Sequence, residues 1–374
     1  MPPESARKRT SRRPTSLAIL LAILVFALYI LQQQGVLDLG LFPSETPSPS
    51  PAAGGGGEGK WYEIYFTTPR YPDKQEYHRG GIDEKLIAAI EKAKRSIDIA
   101  AYEFDLENVA QALSRAKERG VKVRMVTDTD NLDLPAVQML SQAGIHVAQD
   151  KRQPIMHNKF VVIDGETVWT GSWNLTVNCT YRNNNNAIAI RSPALAENYT
   201  TEFEEMFAKG AFGPNSPART PHPKLTIDGT QVENYFAPED KVGEKVIAQV
   251  RQAQKSIRFL AFSFTHDGIG QALMEKFKAG MKVQGVFEKR QADEKYSEFG
   301  PMRDMGMDVL TDGNPYIMHH KVFIIDDQTV ILGSFNFSRN ADESNDENVL
   351  IIRNSDVAAA YQAEFERVYQ QVGK

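Results

Sequence analysis

Met156-His157-Asn158-Lys159, followed by Asp164 and then by Gly171-Ser172-Trp173-Asn174, is one copy of a pattern that the chain carries twice. The other copy is Met318-His319-His320-Lys321, Asp326 and Gly333-Ser334-Phe335-Asn336. Each reads His-x-Lys, four residues, Asp, six residues, Gly-Ser-x-Asn, and two independent copies of so long a pattern do not arise by chance. Phe160-Val161-Val162-Ile163 and Val322-Phe323-Ile324-Ile325 fill the gap between Lys and Asp. These β-branched and aromatic runs read as buried strands. Side chains two apart on a strand share a face, so His157 and Lys159 point the same way, as do His319 and Lys321. Asp164-Gly165 and Asp326-Asp327 read as turns, followed by returning strands at 167–169 and 329–332, which bring Gly-Ser-x-Asn back beside His-x-Lys.

An imidazole, an ammonium, a hydroxyl and a carboxamide facing one cavity suit a phosphodiester. They supply a nucleophile or proton carrier, a fixed cation and neutral donors for the phosphoryl oxygens. Displacement at phosphorus needs attack on one side and protonation of the leaving oxygen on the other, so both copies are required. His146, His222 and His266 have no such context and read as structural. So does His320, which faces opposite to its neighbours and is replaced by Asn158 in the first copy.

The double pattern resembles the signature of the phospholipase D superfamily. The resemblance runs from about residue 64 to the C-terminus and includes Tyr65-Phe66 and Tyr235-Phe236 at the head of each half. It implies two halves packed as a pseudo-dimer with one active site at their interface, and two displacements through a covalent phosphohistidine without metal or other cofactor. Lys159, Lys321, Asn174 and Asn336 would hold the phosphoryl oxygens, with Ser172 and Ser334 assisting, while Asp164 and Asp326 would hydrogen-bond within each half. Twenty-eight residues after each motif histidine stand Asn185 and Glu347. In the family the residue at this place orients the imidazole, and a Glu there is common.

If Asn185 contacts His157 and Glu347 contacts His319, the carboxylate raises the pKa of one ring and the carboxamide only orients the other. His157 is then the neutral nucleophile and His319 the protonated general acid that later activates water. A similar asymmetry is found in tyrosyl-DNA phosphodiesterases, where the first-motif His attacks. The other reading leaves Asn185 in a solvated loop at 183–186. The Asn174-Leu175-Thr176 and Asn336-Phe337-Ser338 sequons read as coincidental, because glycosylation would block the site.

The duplication extends beyond the motifs. From Lys85 and from Lys245 the chain aligns at an offset of 160, with Gln111-Ala112-Leu113 on Gln271-Ala272-Leu273; from Gly144/Gly306 onward the offset is 162. Helical and strand periodicities alternate within each half: helix at 85–94, strand at 97–104, helix at 106–119 and strand at 122–126. A further helix, the His-x-Lys hairpin, another strand and a closing helix follow. The alternation predicts an α/β fold of tandem α/β/α sandwich domains, each with a largely parallel central sheet, forming a pseudo-dimer. Residues 60–212 are the first repeat and 213–374 the second, joined through the Pro-rich stretch at 213–223.

The amino terminus is of another kind. Arg7, Lys8, Arg9, Arg12 and Arg13 precede an uninterrupted apolar run at 17–31. A bilayer span needs about 17–25 residues, so the run is short, yet no small-x-small cleavage site follows it. The reading is a basic cytoplasmic tail at 1–16, a transmembrane signal anchor at 17–34 and a flexible Pro/Ser/Gly linker at 35–59, with the catalytic part extracytoplasmic. Cleavage of the segment would make the protein secreted.

The 374 residues are 41% hydrophobic and 24% charged, ordinary for one or two globular domains. A single cysteine, Cys179, excludes an intramolecular disulfide framework, and no Cys/His cluster has zinc spacing. The net charge is −5; with +4 on residues 1–16 and −3 on 17–59, residues 60–374 carry −6. A mildly acidic domain has no global grip on nucleic acid. Together with the double motif and an anchor that places the site near a bilayer, this makes the expected substrate a phospholipid whose head group is hydrolysed off or transferred, with a DNA or RNA phosphodiester as the alternative. The expectation includes a monomer with an internal pseudo-two-fold and no obligatory protein partner.

Overall fold

The computed structural model describes residues 56–372. The expected tail, anchor and most of the linker lie outside the described residues, and no helix within them is long and apolar enough to cross a membrane.

The first half runs β1 (Tyr62–Phe66), α1 (Ile82–Lys92), β2 (Ser96–Ala101), α2 (Glu107–Glu118), β3 (Lys122–Thr127), α3 (Pro135–Gln142), β4 (His146–Gln149), β5 (Lys159–Ile163), β6 (Thr167–Gly171), α4 (Val177–Tyr181), β7 (Asn186–Arg191) and α5 (Pro193–Lys209). The second half opens with a hairpin, β8 (Lys224–Ile227) and β9 (Thr230–Ala237). It then repeats the order as α6 (Val242–Gln252), β10 (Ser256–Ala261), α7 (Asp267–Lys278), β11 (Lys282–Phe287), α8 (Lys289–Ala292), α9 (Phe299–Asp304), β12 (Asp308–Thr311), β13 (Lys321–Ile325), β14 (Thr329–Gly333), α10 (Arg339–Glu343), β15 (Glu347–Arg353) and α11 (Ser355–Tyr369). The change of offset falls between β3 and β4, where α3 in the first half is replaced by α8 and α9 in the second.

Each half holds one sheet, ordered β1-β7-β6-β5-β2-β3-β4 and β12-β11-β10-β13-β14-β15-β9-β8. The expected largely parallel sheet is corrected. Only β2-β3-β4 and β10-β11-β12 pair in parallel, and the remaining neighbours are antiparallel. Helices cross over between β2 and β3 and between β3 and β4, but β5 and β6 are joined by a tight turn that can only reverse the chain. Asp164 and Gly165 have φ of 55° and 63°, and Asp326 and Asp327 both have 57°. Positive φ at both central positions is the turn geometry that matches strand twist.

Three cores hold the layers together. α1, α2 and α3 cover the outer face of the first sheet through Leu86, Leu113 and Leu140, packed on Ile99 and Val161. Val246, Leu273 and Met302 cover the second sheet in the same way, over Phe259 and Phe323. α5 and α11 contribute Tyr199, Phe203, Tyr361 and Phe365 to a single core shared by the two sheets, which contains Phe160, Leu332 and Leu350. The halves are thus fused through one apolar interior.

Asp164 and Asp326 hydrogen-bond within their own halves. Asp164 accepts backbone N–H bonds from Lys94, Arg95 and Ser96 at 2.6–3.1 Å, and Asp326 accepts from Gln254, Lys255 and Ser256 at 2.6–3.0 Å. Each pins the turn of its hairpin to the backbone that enters β2 or β10. Although burial opposes ionisation, these N–H donors win and hold both carboxyls below the usual range. Asp164→Ala should therefore lower unfolding free energy by about 1–3 kcal/mol at neutral pH. The lowered folded-state pKa makes this contribution present above about pH 4 and lost as pH falls through the folded value. Chemical denaturation of wild type and variant should show the gap at pH 7 and its closure in acid.

Candidate active site

The strand geometry sets both histidines at one edge. β5 and β13 begin with the motif lysines, paired to the ends of β2 and β10 as Ala101↔Lys159 and Ala261↔Lys321. His157 and His319 stand two residues earlier and are both buried. Across the interface, His157 N donates to Asp346 O at 3.0 Å and His319 N donates to Asn184 O at 2.9 Å. Met156 pairs with Asp346, and Met318 with Asn184, as isolated parallel bridges. Each His-x-Lys segment therefore continues into the opposite half.

This stitching corrects the expected partners. His157 Nδ1 lies 2.8 Å from both carboxylate oxygens of Glu347, while His319 Nδ1 lies 3.0 Å from Asn185 Oδ1 and 3.1 Å from Ser172 O. The orienting residue stands 28 positions after one histidine and touches the other, because the start of β7 or β15 lies against the motif of the opposite half. Asn185 is fully buried, not in a solvated loop. Its Nδ2 donates to Cys179 O at 2.9 Å, which fixes Oδ1 toward the ring. Both imidazoles then carry their proton on Nδ1 and leave Nε2 for chemistry.

Ser172 and Ser334 are also corrected. Ser172 Oγ donates to Asn185 Oδ1 at 3.0 Å and Ser334 Oγ donates to Glu347 Oε2 at 2.6 Å. Both serines are fully buried. Their hydroxyls brace the orienting side chains and do not turn toward a phosphate. Gly171 and Gly333, which precede them, have φ of 146° and 151°, and a Cβ there would lie 2.4 Å from Asn186 O and 2.1 Å from Asn348 O. Glycine is the residue that fits.

Lys159 Nζ donates to His157 O at 2.7 Å and Lys321 Nζ to His319 O at 2.9 Å. One hydrogen bond each leaves further N–H donors for a ligand. Burial lowers both ammonium pKa values, that of Lys159 to about 8 despite Glu347 and Glu103, and that of Lys321 well below its usual value. Burial likewise holds both histidines down, with the lysine charges adding to it, and pushes Glu347 up to about 8. A bound anion reverses the cost for the lysines.

The carboxamide oxygens of Asn174 and Asn336 are buried without partners, acceptors that an N–H or O–H donor on a bound ligand would complete. The sequons have a structural account: Thr176 Oγ1 accepts from Cys179 N and Ser338 Oγ from Ala341 N, so both cap short helices.

His320 is structural, as expected. It is fully buried, with Nε2 2.8 Å from Glu364 and Nδ1 2.9 Å from Asn186 Nδ2. Asn348 Nδ2 makes the matching bond to Asn158 Oδ1 at 2.8 Å. His146 packs on Phe207, His222 meets Glu197, and His266 caps α7 beside Asp342.

Three residues of the site were given no role in it from sequence. The Tyr102 ring lies 5.1 Å from that of His157, and the Phe262 ring 4.7 Å from that of His319. Glu103 Oε2 accepts from Asn174 Nδ2 at 2.9 Å. The available signal was a break in the repeat, where Ala101-Tyr102-Glu103-Phe104 aligns with Ala261-Phe262-Ser263-Phe264.

Comparison with known proteins shows the family. The family described as cardiolipin synthase, phospholipase D-like domain, matches residues 86–207 and again 246–369. A mitochondrial cardiolipin hydrolase of Xenopus tropicalis is 33% identical over 132 residues, 35% of this chain and 63% of that protein, so less than two thirds of its length is spanned. A phospholipase D of Rickettsia conorii is 33% identical over 135 residues, 36% of this chain and 68% of that protein. The phosphatidylserine synthase of Haemophilus influenzae Rd KW20 superposes with a TM-score of 0.61 over 82% of this chain and 86% of its own, at 14% identity, a likeness of fold. With two family matches, one on each repeat and each enclosing a complete His-Lys-Asp motif, the chain belongs to the phospholipase D superfamily.

Proposed function

We propose that the chain is a phosphodiesterase of the phospholipase D type that hydrolyses, or transfers, phospholipid head groups through a phosphohistidine on His157. The observation that carries this reading is the pair of buried imidazoles braced from opposite halves, one by a carboxylate and one by a carboxamide. His157 keeps the role expected of it, but the physical reason changes. When Nε2 bonds to phosphorus while Nδ1 keeps its proton, the ring becomes cationic. Glu347 stands where it offsets that charge or takes the proton. His319, oriented by neutral groups, forms an imidazolium that gives up its proton readily. That suits protonation of the leaving oxygen and, in the second displacement, activation of water or an alcohol. Lys159, Lys321, Asn174 and Asn336 would bind the phosphoryl oxygens and supply the positive charge the reaction calls for.

The names of the Xenopus and Rickettsia relatives and the acidic catalytic region support lipid as substrate. Tethering through residues 17–34, with the catalytic part outside the cytoplasm, belongs to the same proposal. A second reading, cleavage of nucleic acid, is favoured by the 67–81 segment, where Arg70 lies 4.9 Å over the Tyr77 ring and Tyr71 is 70% exposed. Cations interleaved with aromatic rings suit stacked bases.

The full chain offered phosphatidylcholine vesicles, phosphatidylglycerol vesicles and single-stranded DNA should release head group, and His157→Ala should abolish release. DNA cleavage with lipid untouched would select the second reading. His319→Ala should lower turnover of a phospholipid about 10²–10⁴-fold. It should still accumulate phosphohistidine from bis(p-nitrophenyl) phosphate, whose leaving group needs no proton. Mass spectrometry that placed the phosphoryl group on His319 in the wild type would overturn the assignment. Glu347→Gln should slow turnover about 10–100-fold. Because Lys159 is cationic below about pH 8 and neutral above it, KM for an anionic diester should rise as pH passes through 8.

A further inference from the structure

The two halves present matched pairs to the cavity: His157 and His319, Lys159 and Lys321, Asn174 and Asn336. Glu103 breaks the match, since Ser263 holds its place in the second half. It follows β2 directly, at the edge where Lys159 pairs with Ala101. It is only part-buried, with Oε2 bound to Asn174 Nδ2 at 2.9 Å. Its charge acts on Lys159 and that of Lys159 on it. Glu103 is thus a carboxylate on the wall of a site that binds an anion, which calls for an explanation.

Resting on the reading above, we propose that Glu103 is a specificity-determining residue that selects zwitterionic phospholipids, whose phosphodiester carries an ammonium-bearing substituent, over diesters flanked by further negative charge. Glu103 adds to the site a carboxylate that the second half does not match, close enough to Lys159 for each to act on the other, and an ammonium on the substrate would pair with it. A neighbouring phosphate, as in a polynucleotide, would meet Glu103 as a like charge. Burial and Asp105 raise the Glu103 carboxyl, while Lys159 and the Asn174 amide oppose them. An arriving ammonium would hold it ionised.

The test uses the full chain, wild type, Glu103→Gln and Glu103→Ser, and compares kcat/KM on phosphatidylcholine and phosphatidylglycerol vesicles, bis(p-nitrophenyl) phosphate and a single-stranded oligonucleotide. Wild type should prefer phosphatidylcholine. Both variants should lower the choline-to-glycerol ratio about tenfold and raise hydrolysis of bis(p-nitrophenyl) phosphate. Gln keeps an oxygen for Asn174 and removes only the charge, so a merely positional role would leave Glu103→Gln with the wild-type ratio and defeat the proposal. A wild-type preference for phosphatidylglycerol or the oligonucleotide would also defeat it. Wild type inert on every diester, bis(p-nitrophenyl) phosphate included, would instead sink the phosphodiesterase reading on which it rests.

Discussion

Two backbone hydrogen bonds, His157 N to Asp346 O and His319 N to Asn184 O, set the terms for everything else in the molecule. They splice each His-x-Lys segment onto the strand start of the other half, so that the residue following each acceptor region, Glu347 or Asn185, lands on an imidazole not its own. A site built this way cannot form in either half alone. The chain has accordingly fused the halves through one apolar core, in which Tyr199 packs on both Phe160 of its own half and Phe236 of the other. Removing the site from water is the consequence. Inside that interface, charges are costly unless partnered, and the two buried lysines form an environment completed by an anion.

Burial also explains why the polar network is so fully branched. Asn186 meets His320, Ser172 and Tyr361, and Asn348 meets Asn158, Ser334, Thr170 and Tyr199. These two asparagines, one after each orienting residue, tie both sheets to the central helices α5 and α11. A network this highly connected holds one geometry, and that geometry keeps Asn185 and Glu347 within hydrogen-bond reach of rings on the opposite chain segment. The asymmetry of the site is confined to a few positions against an otherwise two-fold background, which is why Glu103, aligned with Ser263 of the second repeat, stands out.

Much of this was legible in the sequence because strand alternation is a local property. The shared face of His157 and Lys159, the turns at Asp164 and Asp326, and the structural character of His320 follow from periodicity of two and from turn chemistry. The balance of strand directions was not legible: helix-strand alternation said largely parallel, and although the hairpins β5-β6 and β13-β14 follow from their turns, the antiparallel pairing of β5 with β2 and of β7 with β1 appears only in the sheet order. The crossed partners were not legible either, since a spacing of 28 residues is the same whether the contact is made within a half or between halves. The serines misled because a hydroxyl beside a motif asparagine looks free until its acceptor, Asn185 or Glu347, is seen. Glu103 was overlooked because reading by shared positions passes over the positions where two repeats differ.

The most direct test of the crossed site needs no substrate. In the full chain with ¹⁵N-labelled histidine, NMR should show His157 and His319 both as the Nδ1–H tautomer. The ring proton of His157 should be shifted to low field by the Glu347 carboxylate. Glu347→Gln should move the His157 resonance and leave that of His319 in place, while Asn185→Ala should do the reverse. If Glu347→Gln moved His319 instead, the pairing on which the nucleophile assignment rests would be wrong.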